Sequence, residues 1–148
     1  MPERFELRLR PLLDVRRHER DEKQRNYASR QSALDDVLRR GEQLAALLQM
    51  RTSALRKAAG APSPLAMRLY DGHLTSLRRA MGEGAHLAAE RESERRLAAA
   101  ELIAANRAYR VLEKLEERHR RAAEARALRR ETLELDDANA CRSREPRP

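Results

Sequence analysis

The chain has 148 residues, of which 38% are charged and 3% aromatic, with no Trp, one Phe and five Gly. Mean hydropathy is −0.87, and Ala and Leu carry most of the apolar content, so strand formers and bulky core residues are scarce; this excludes an α/β or all-β enzyme and favours long helices meeting along a narrow seam. The net charge of +8 comes from 32 basic and 24 acidic residues, interleaved as in Arg16-Arg17-His18-Glu19-Arg20-Asp21-Glu22-Lys23, the pattern of an ion-paired helix surface rather than of a continuous nucleic-acid stripe.

The N-terminus, Met1-Pro2-Glu3-Arg4-Phe5-Glu6, has acidic residues and no apolar signal region, which points to the cytoplasm. Prolines then divide the chain. Between Pro11 and Pro62, and again between Pro64 and Pro146, there is none; proline breaks helix interiors, so both gaps accommodate long helices. The reading is helix one over about 4–59, a loop at 60–64, and helix two over about 65–138. Gly60 is placed to end the first helix with a positive φ, and Ser63-Pro64 reads as an N-cap followed by proline in the first turn. A loop this short returns helix two antiparallel to helix one. The predicted fold class is all-α, a long antiparallel two-helix coiled-coil hairpin over 1–140, with a disordered tail from 141 to 148.

Apolar spacing supplies a register. Helix one presents Leu34, Val37, Gly41, Leu44, Leu48, Arg51, Leu55 and Ala58 in steps of three and four. Helix two presents Met67, Tyr70, Leu74, Leu77, Met81, Gly84 and Ala88, the coiled-coil period. Folding one onto the other pairs Leu48 with Leu77, Leu44 with Met81 and Gly41 with Gly84; farther out it pairs Tyr27 with Ala98 and Leu13 with Leu112. Two opposed glycines predict a close approach or a bend. The register also sets Arg30 against Arg95, and residues 16–26 contain no apolar side chain, so pairing is expected to be tight near the loop and looser toward the termini.

The residues carry no catalytic pattern. His18, His73, His86 and His119 are widely spaced, Cys141 is the one cysteine, and Gly82-Glu83-Gly84 lacks the strand context of a phosphate loop. Asp35-Asp36 and Asp136-Asp137 are adjacent pairs that diverge on a helix. The expectation is a non-enzyme with no metal and no cofactor, acting through its surface. Two patches stand out. Near the loop, Leu47, Met50, Leu65, Leu69 and Tyr70 exceed what one seam requires. At the opposite end, residues 4–20 and 115–138 combine many Arg and Glu with isolated Phe5, Leu7, Leu9, Leu12, Leu13 and Val15.

Several segments resemble the FliJ family of the bacterial flagellar type III export apparatus, related to YscO of virulence secretion systems. They are Phe5-Glu6-Leu7 through Leu12-Leu13-Asp14-Val15-Arg16-Arg17, Glu42-Gln43-Leu44 with Leu47 and Met50, Tyr70-Asp71-Gly72-His73-Leu74, Leu112-Glu113-Lys114-Leu115, and Arg129-Arg130-Glu131-Thr132-Leu133-Glu134-Leu135-Asp136-Asp137. His73 stands where that family has an aromatic, and Leu133 where it has Lys. The resemblance implies a stalk that enters the hexameric export ATPase (FliI-like), activates it, contacts the export gate protein (FlhA-like) and handles export chaperones. It would be cytoplasmic and peripheral at the inner-membrane export apparatus, without membrane insertion or nucleic acid. Carried onto this chain, it implies ATPase contacts at Leu12, Leu13, Arg16, Arg17, Leu135 and Asp136. It implies gate contacts at Gln43, Leu47, Met50, Tyr70, His73, Leu77 and Ala80. The alternatives are a basic coiled coil binding nucleic acid, disfavoured by the lack of stacking aromatics, and a generic dimeric coiled-coil scaffold.

Overall fold

A computed structural model describes residues 3–58, 60 and 62–143, with side chains from Leu9 to Arg142. Two helices make up the structure: α1, Glu3–Lys57, and α2, Pro64–Ser143. Pro11 lies inside α1. The fold is an all-α helical hairpin, with no strand among the described residues. Phe5 and Leu7, and the tail from 144 to 148, lie outside the described side chains. The helix α2 takes in Cys141, Arg142 and Ser143, beyond the boundary at 138 expected from sequence.

The turn is built from local chemistry. Its first helix ends at Lys57, with the Ala58 amide donating to the Ala54 carbonyl at 3.1 Å. Gly60 has φ +117°, a region where L side chains are strained. Ser63 caps α2 twice: its Oγ accepts from the Ala66 amide at 3.2 Å and its carbonyl accepts from the Met67 amide at 3.0 Å. Pro64 opens the helix, where its missing N–H leaves no donor unmatched.

The helices divide into two units, Glu22–Ile103 around the turn, and α1 up to Asp21 with α2 from Ala104. In the unit around the turn, Leu34, Leu74, Leu77 and Ala98 are buried. Val37, Leu44, Leu48, Leu55, Tyr70, Met81 and Ala88 are half-buried, following the three-four spacing. Arg51, Ala58 and Met67, which the same spacing placed in the seam, are exposed; the end of a two-helix seam has no third element to cover it. In the other unit, Leu9 and Leu13 are buried and Tyr109 and Leu112 half-buried. Apolar burial is therefore not confined to the turn end: Leu9 and Leu13 are covered while Leu65 and Leu69 are each 69% exposed.

The charged stretch 16–26 is engaged across the seam rather than loose. The Arg20 guanidinium stacks 4.6 Å from the Tyr109 ring centroid, and Lys23 pairs with Glu101 at 2.7 Å. The expected Arg30–Arg95 opposition is dissolved by neighbouring carboxylates. Arg30 reaches Glu94 at 2.7 Å, and Arg95 turns along its own helix to Glu92 at 2.8 Å. The arginine stems are long enough to choose these partners while their methylenes cover the seam.

At the glycine pair the structure corrects the expected close approach. A Cβ added at Gly41 or Gly84 would meet nothing within 4 Å, so neither glycine marks a close approach. Both are helical positions where a side chain fits freely. Replacement therefore has opposite signs at different glycines. Gly41→Ala and Gly84→Ala should each stabilise by about 0.5–1 kcal/mol, whereas Gly60→Ala should cost about 1 kcal/mol through its positive φ. Ser63→Ala should cost about 1 kcal/mol from the lost cap. Urea midpoints of the four variants test the set.

Candidate functional site

The unit around the turn presents an apolar surface. Met50 is 65% exposed, and Leu65 and Leu69 are each 69% exposed. The start of α2 is tied to the end of α1 by the Tyr70 hydroxyl, which donates to the Arg51 carbonyl. That bond holds the half-buried Tyr70 ring beside the neighbour of Met50. Of the residues singled out from sequence here, Gln43, Met50 and His73 are exposed, Leu47, Tyr70 and Ala80 half-buried, and Leu77 buried. Gln43, Met50 and His73 are open to direct contact, whereas Leu77 lies in the seam.

The second surface is charged. In the unit that contains the N-terminal part of α1, Arg10, Asp14 and Arg17 line an open cleft with Tyr109, Glu113 and Glu116. A larger, shallow cleft of about 540 Å³ runs along Arg10, Glu113, Lys114, Glu117 and Arg120. Leu12 is 43% exposed beside this region, while Leu13 is buried. Arg16 is tied to Glu19 at 2.7 Å, and Arg17 is exposed. Leu135, 64% exposed, and the exposed Asp136 lie far down α2. They are 19 or more residues beyond Glu116, roughly 28 Å along the helix at its standard rise. The structure thus groups Leu12, Leu13, Arg16 and Arg17 in one place and leaves Leu135 and Asp136 in another.

Both clefts are open and lined by charges of both signs, unlike the enclosed, mostly apolar pockets that hold small ligands. Among the described residues, no group of three or more His, Cys, Asp or Glu could hold a metal ion, and no helix is long and apolar enough to cross a membrane.

Sequence reasoning missed two features. One is the Arg20–Tyr109 stack, which no local spacing announces because the residues are far apart in the chain. The other is the exposure of Val111 and Leu128, 66% and 64%; for Leu128, the signal available was its seven-residue spacing from Leu135.

A family model described as the flagellar FliJ protein matches residues 5–147. The chain belongs to the FliJ family. No curated protein and no solved structure is matched. Membership makes this a flagellar, export-related protein, of a family that is a non-catalytic component of that system.

The surface of this FliJ-family chain is organised by ion pairs between helical neighbours. Glu92 accepts from Arg95 at 2.8 Å and from Arg96 at 2.8 Å, hydrogen bonds that hold its carboxyl at about 2, below the ordinary 4.5. Glu94 is lowered as well, first by its hydrogen bond from Arg91 and further by Arg30. Arg95 is pushed up by Glu92 and by Tyr27, whose hydroxyl accepts at 3.4 Å. Glu92, Arg95 and Arg96 stand at the three- and four-residue spacings at which helical neighbours meet. A depressed carboxylate contributes stability above its unfolded value and loses that contribution as pH falls through the folded one. A carbon-detected NMR titration should place the Glu92 midpoint near 2, and Arg95→Ala should raise it toward 4.5.

Proposed function

We propose that this FliJ-family chain is a stalk of the flagellar export apparatus that binds and activates the hexameric export ATPase and couples it to the export gate. The charged terminal region of α1, around Leu12, Arg16 and Arg17, and the distal part of α2, around Leu135 and Asp136, are the ATPase-facing surfaces. The surface by the turn, around Gln43, Met50, Tyr70 and His73, faces the gate, and export chaperones are handled along the same molecule. The observation that carries the reading is the exposure of Met50, Leu65 and Leu69 at 65–69% in a chain of this family. Large apolar side chains left in water at one end of a charged helix pair are what a protein partner covers.

The mechanism is contact and charge, with no bond made or broken by this chain. Mixed-sign clefts such as the one at Arg10, Asp14, Arg17 and Glu113 supply directional pairing and fast encounter with a charged ring more than raw affinity.

Added below one copy per hexamer, the protein should raise ATP hydrolysis by its own organism's export ATPase. Arg17→Glu and Leu135→Asp should each demand about tenfold more protein for the same stimulation, the loss of one interface anchor. Met50→Asp should leave stimulation intact and weaken co-elution with the cytoplasmic part of the gate. Absence of stimulation and of co-elution by the unaltered protein would overturn the reading.

A further inference from the structure

The distal part of α2 is open to solvent along its described length. Every residue from Glu124 to Arg142 is exposed, and Leu128, Leu133 and Leu135 are each 64% exposed. Leu128 and Leu135 are two turns apart and share one face. Ala125, Thr132 and Asn139 fill the intervening steps of three and four, so this face has the spacing of a coiled-coil seam.

Charge is segregated along the same stretch. Arg126, Arg129 and Arg130 precede Glu131, Glu134, Asp136 and Asp137, with no basic residue among the latter. The ion pair Arg120–Glu124 lies just before this region; among the described residues no ion pair joins those arginines to those acids. Two copies aligned in parallel would set basic block on basic block and acidic block on acidic block. Reversing one copy sets basic on acidic at both ends.

We propose that the distal part of α2 pairs with the same segment of a second copy of this chain, antiparallel and two-fold symmetric. In that arrangement Leu135 packs on Thr132 of the second copy and Leu128 on its Asn139. Arg129 and Asp136 each follow a seam leucine and occupy the same flank, so Arg129 of one copy meets Asp136 of the other, twice by symmetry. The buried face is short, which makes the pair reversible. It covers Leu135 and Asp136, so self-pairing and the ATPase contact proposed above exclude each other on one molecule. Self-pairing does not require that contact.

Sedimentation equilibrium of the full chain, without any ATPase, tests this directly. The expected result is a monomer–dimer equilibrium that weakens with added salt. Arg129→Glu and Asp136→Arg should each weaken it by about tenfold by placing like charges together, and the double exchange should restore it, with helicity by circular dichroism unchanged throughout. Orientation is read with cysteines placed in the seam and the exposed Cys141 replaced by serine. In the antiparallel pair position 128 faces position 139 of the second copy and lies about 16 Å along the axis from its own counterpart. Mild oxidation should therefore link copies that carry both Leu128→Cys and Asn139→Cys and leave Leu128→Cys alone unlinked. A chain that stays monomeric at high concentration, a double exchange no better than the single ones, or ready linkage of Leu128→Cys alone would each overturn the proposal.

Discussion

Two α-helices enclose a seam one side chain wide, and each residue in that seam keeps an edge in water. The most covered side chains here, Ala98 at 4% and Leu74 at 6% exposure, are covered by a single facing helix, and no described side chain is fully enclosed. Apolar burial is then limited per residue, since its stabilisation scales with area removed from water. Polar groups at the same seam escape the large desolvation cost they would meet in a layered core. That is why Arg20, Lys23, Arg30 and Arg95 can occupy seam or near-seam positions at all. Each keeps water on one side and finds a carboxylate, hydroxyl or ring on the other.

The same constraint explains which parts of the molecule were legible from sequence. Turn chemistry is local, so Gly60, Ser63 and Pro64 carried their meaning in three residue types, and the structure uses Gly60 with positive φ and Ser63 as a cap. Three-four spacing fixed the apolar face, and Leu34, Leu74, Leu77 and Ala98 lie in it. Long charged side chains were not legible. An arginine in a wet seam has several carboxylates within reach, and its backbone position does not decide among them. Arg95 chose Glu92 on its own helix, and Arg30 chose Glu94 across the seam. The opposed glycines misled in one respect: a shared level does not bring the facing helix close enough for an added Cβ at either to meet anything within 4 Å.

Of the candidate surfaces, the one by the turn was the more legible. An excess of apolar residues over the needs of a single seam can be counted in sequence, and Met50, Leu65 and Leu69 remain in water. The charged surface was harder to read, because Leu12 and Leu13 are adjacent in the chain yet one is 43% exposed and the other buried. A helix turns 100° per residue, so neighbours in a motif diverge in space. Leu13 belongs to the seam and Leu12 to solvent, so of the two only Leu12 is open to direct contact. Leu77 stands in the same relation to His73 and Ala80.

The clefts among the described residues are open and lined by charges of both signs, so the helix surface is what a partner meets. A surface of paired charges is poorly adhesive, since each ion pair already satisfies itself and water screens the remainder. Stickiness is therefore concentrated where pairing lapses: at the exposed leucines and Met50 near the turn, and on the distal part of α2, where arginines and acids are sorted into consecutive blocks. The blocks differ from the interleaved charge of residues 16–23 in one physical respect. Interleaved charges are neutralised by neighbours one turn away, as Arg16 is by Glu19, whereas sorted charges project a field beyond their own helix and need another molecule to close it. The interleaved regions thus satisfy their charges within one molecule, and the sorted blocks are the charges on which the proposed self-pairing draws.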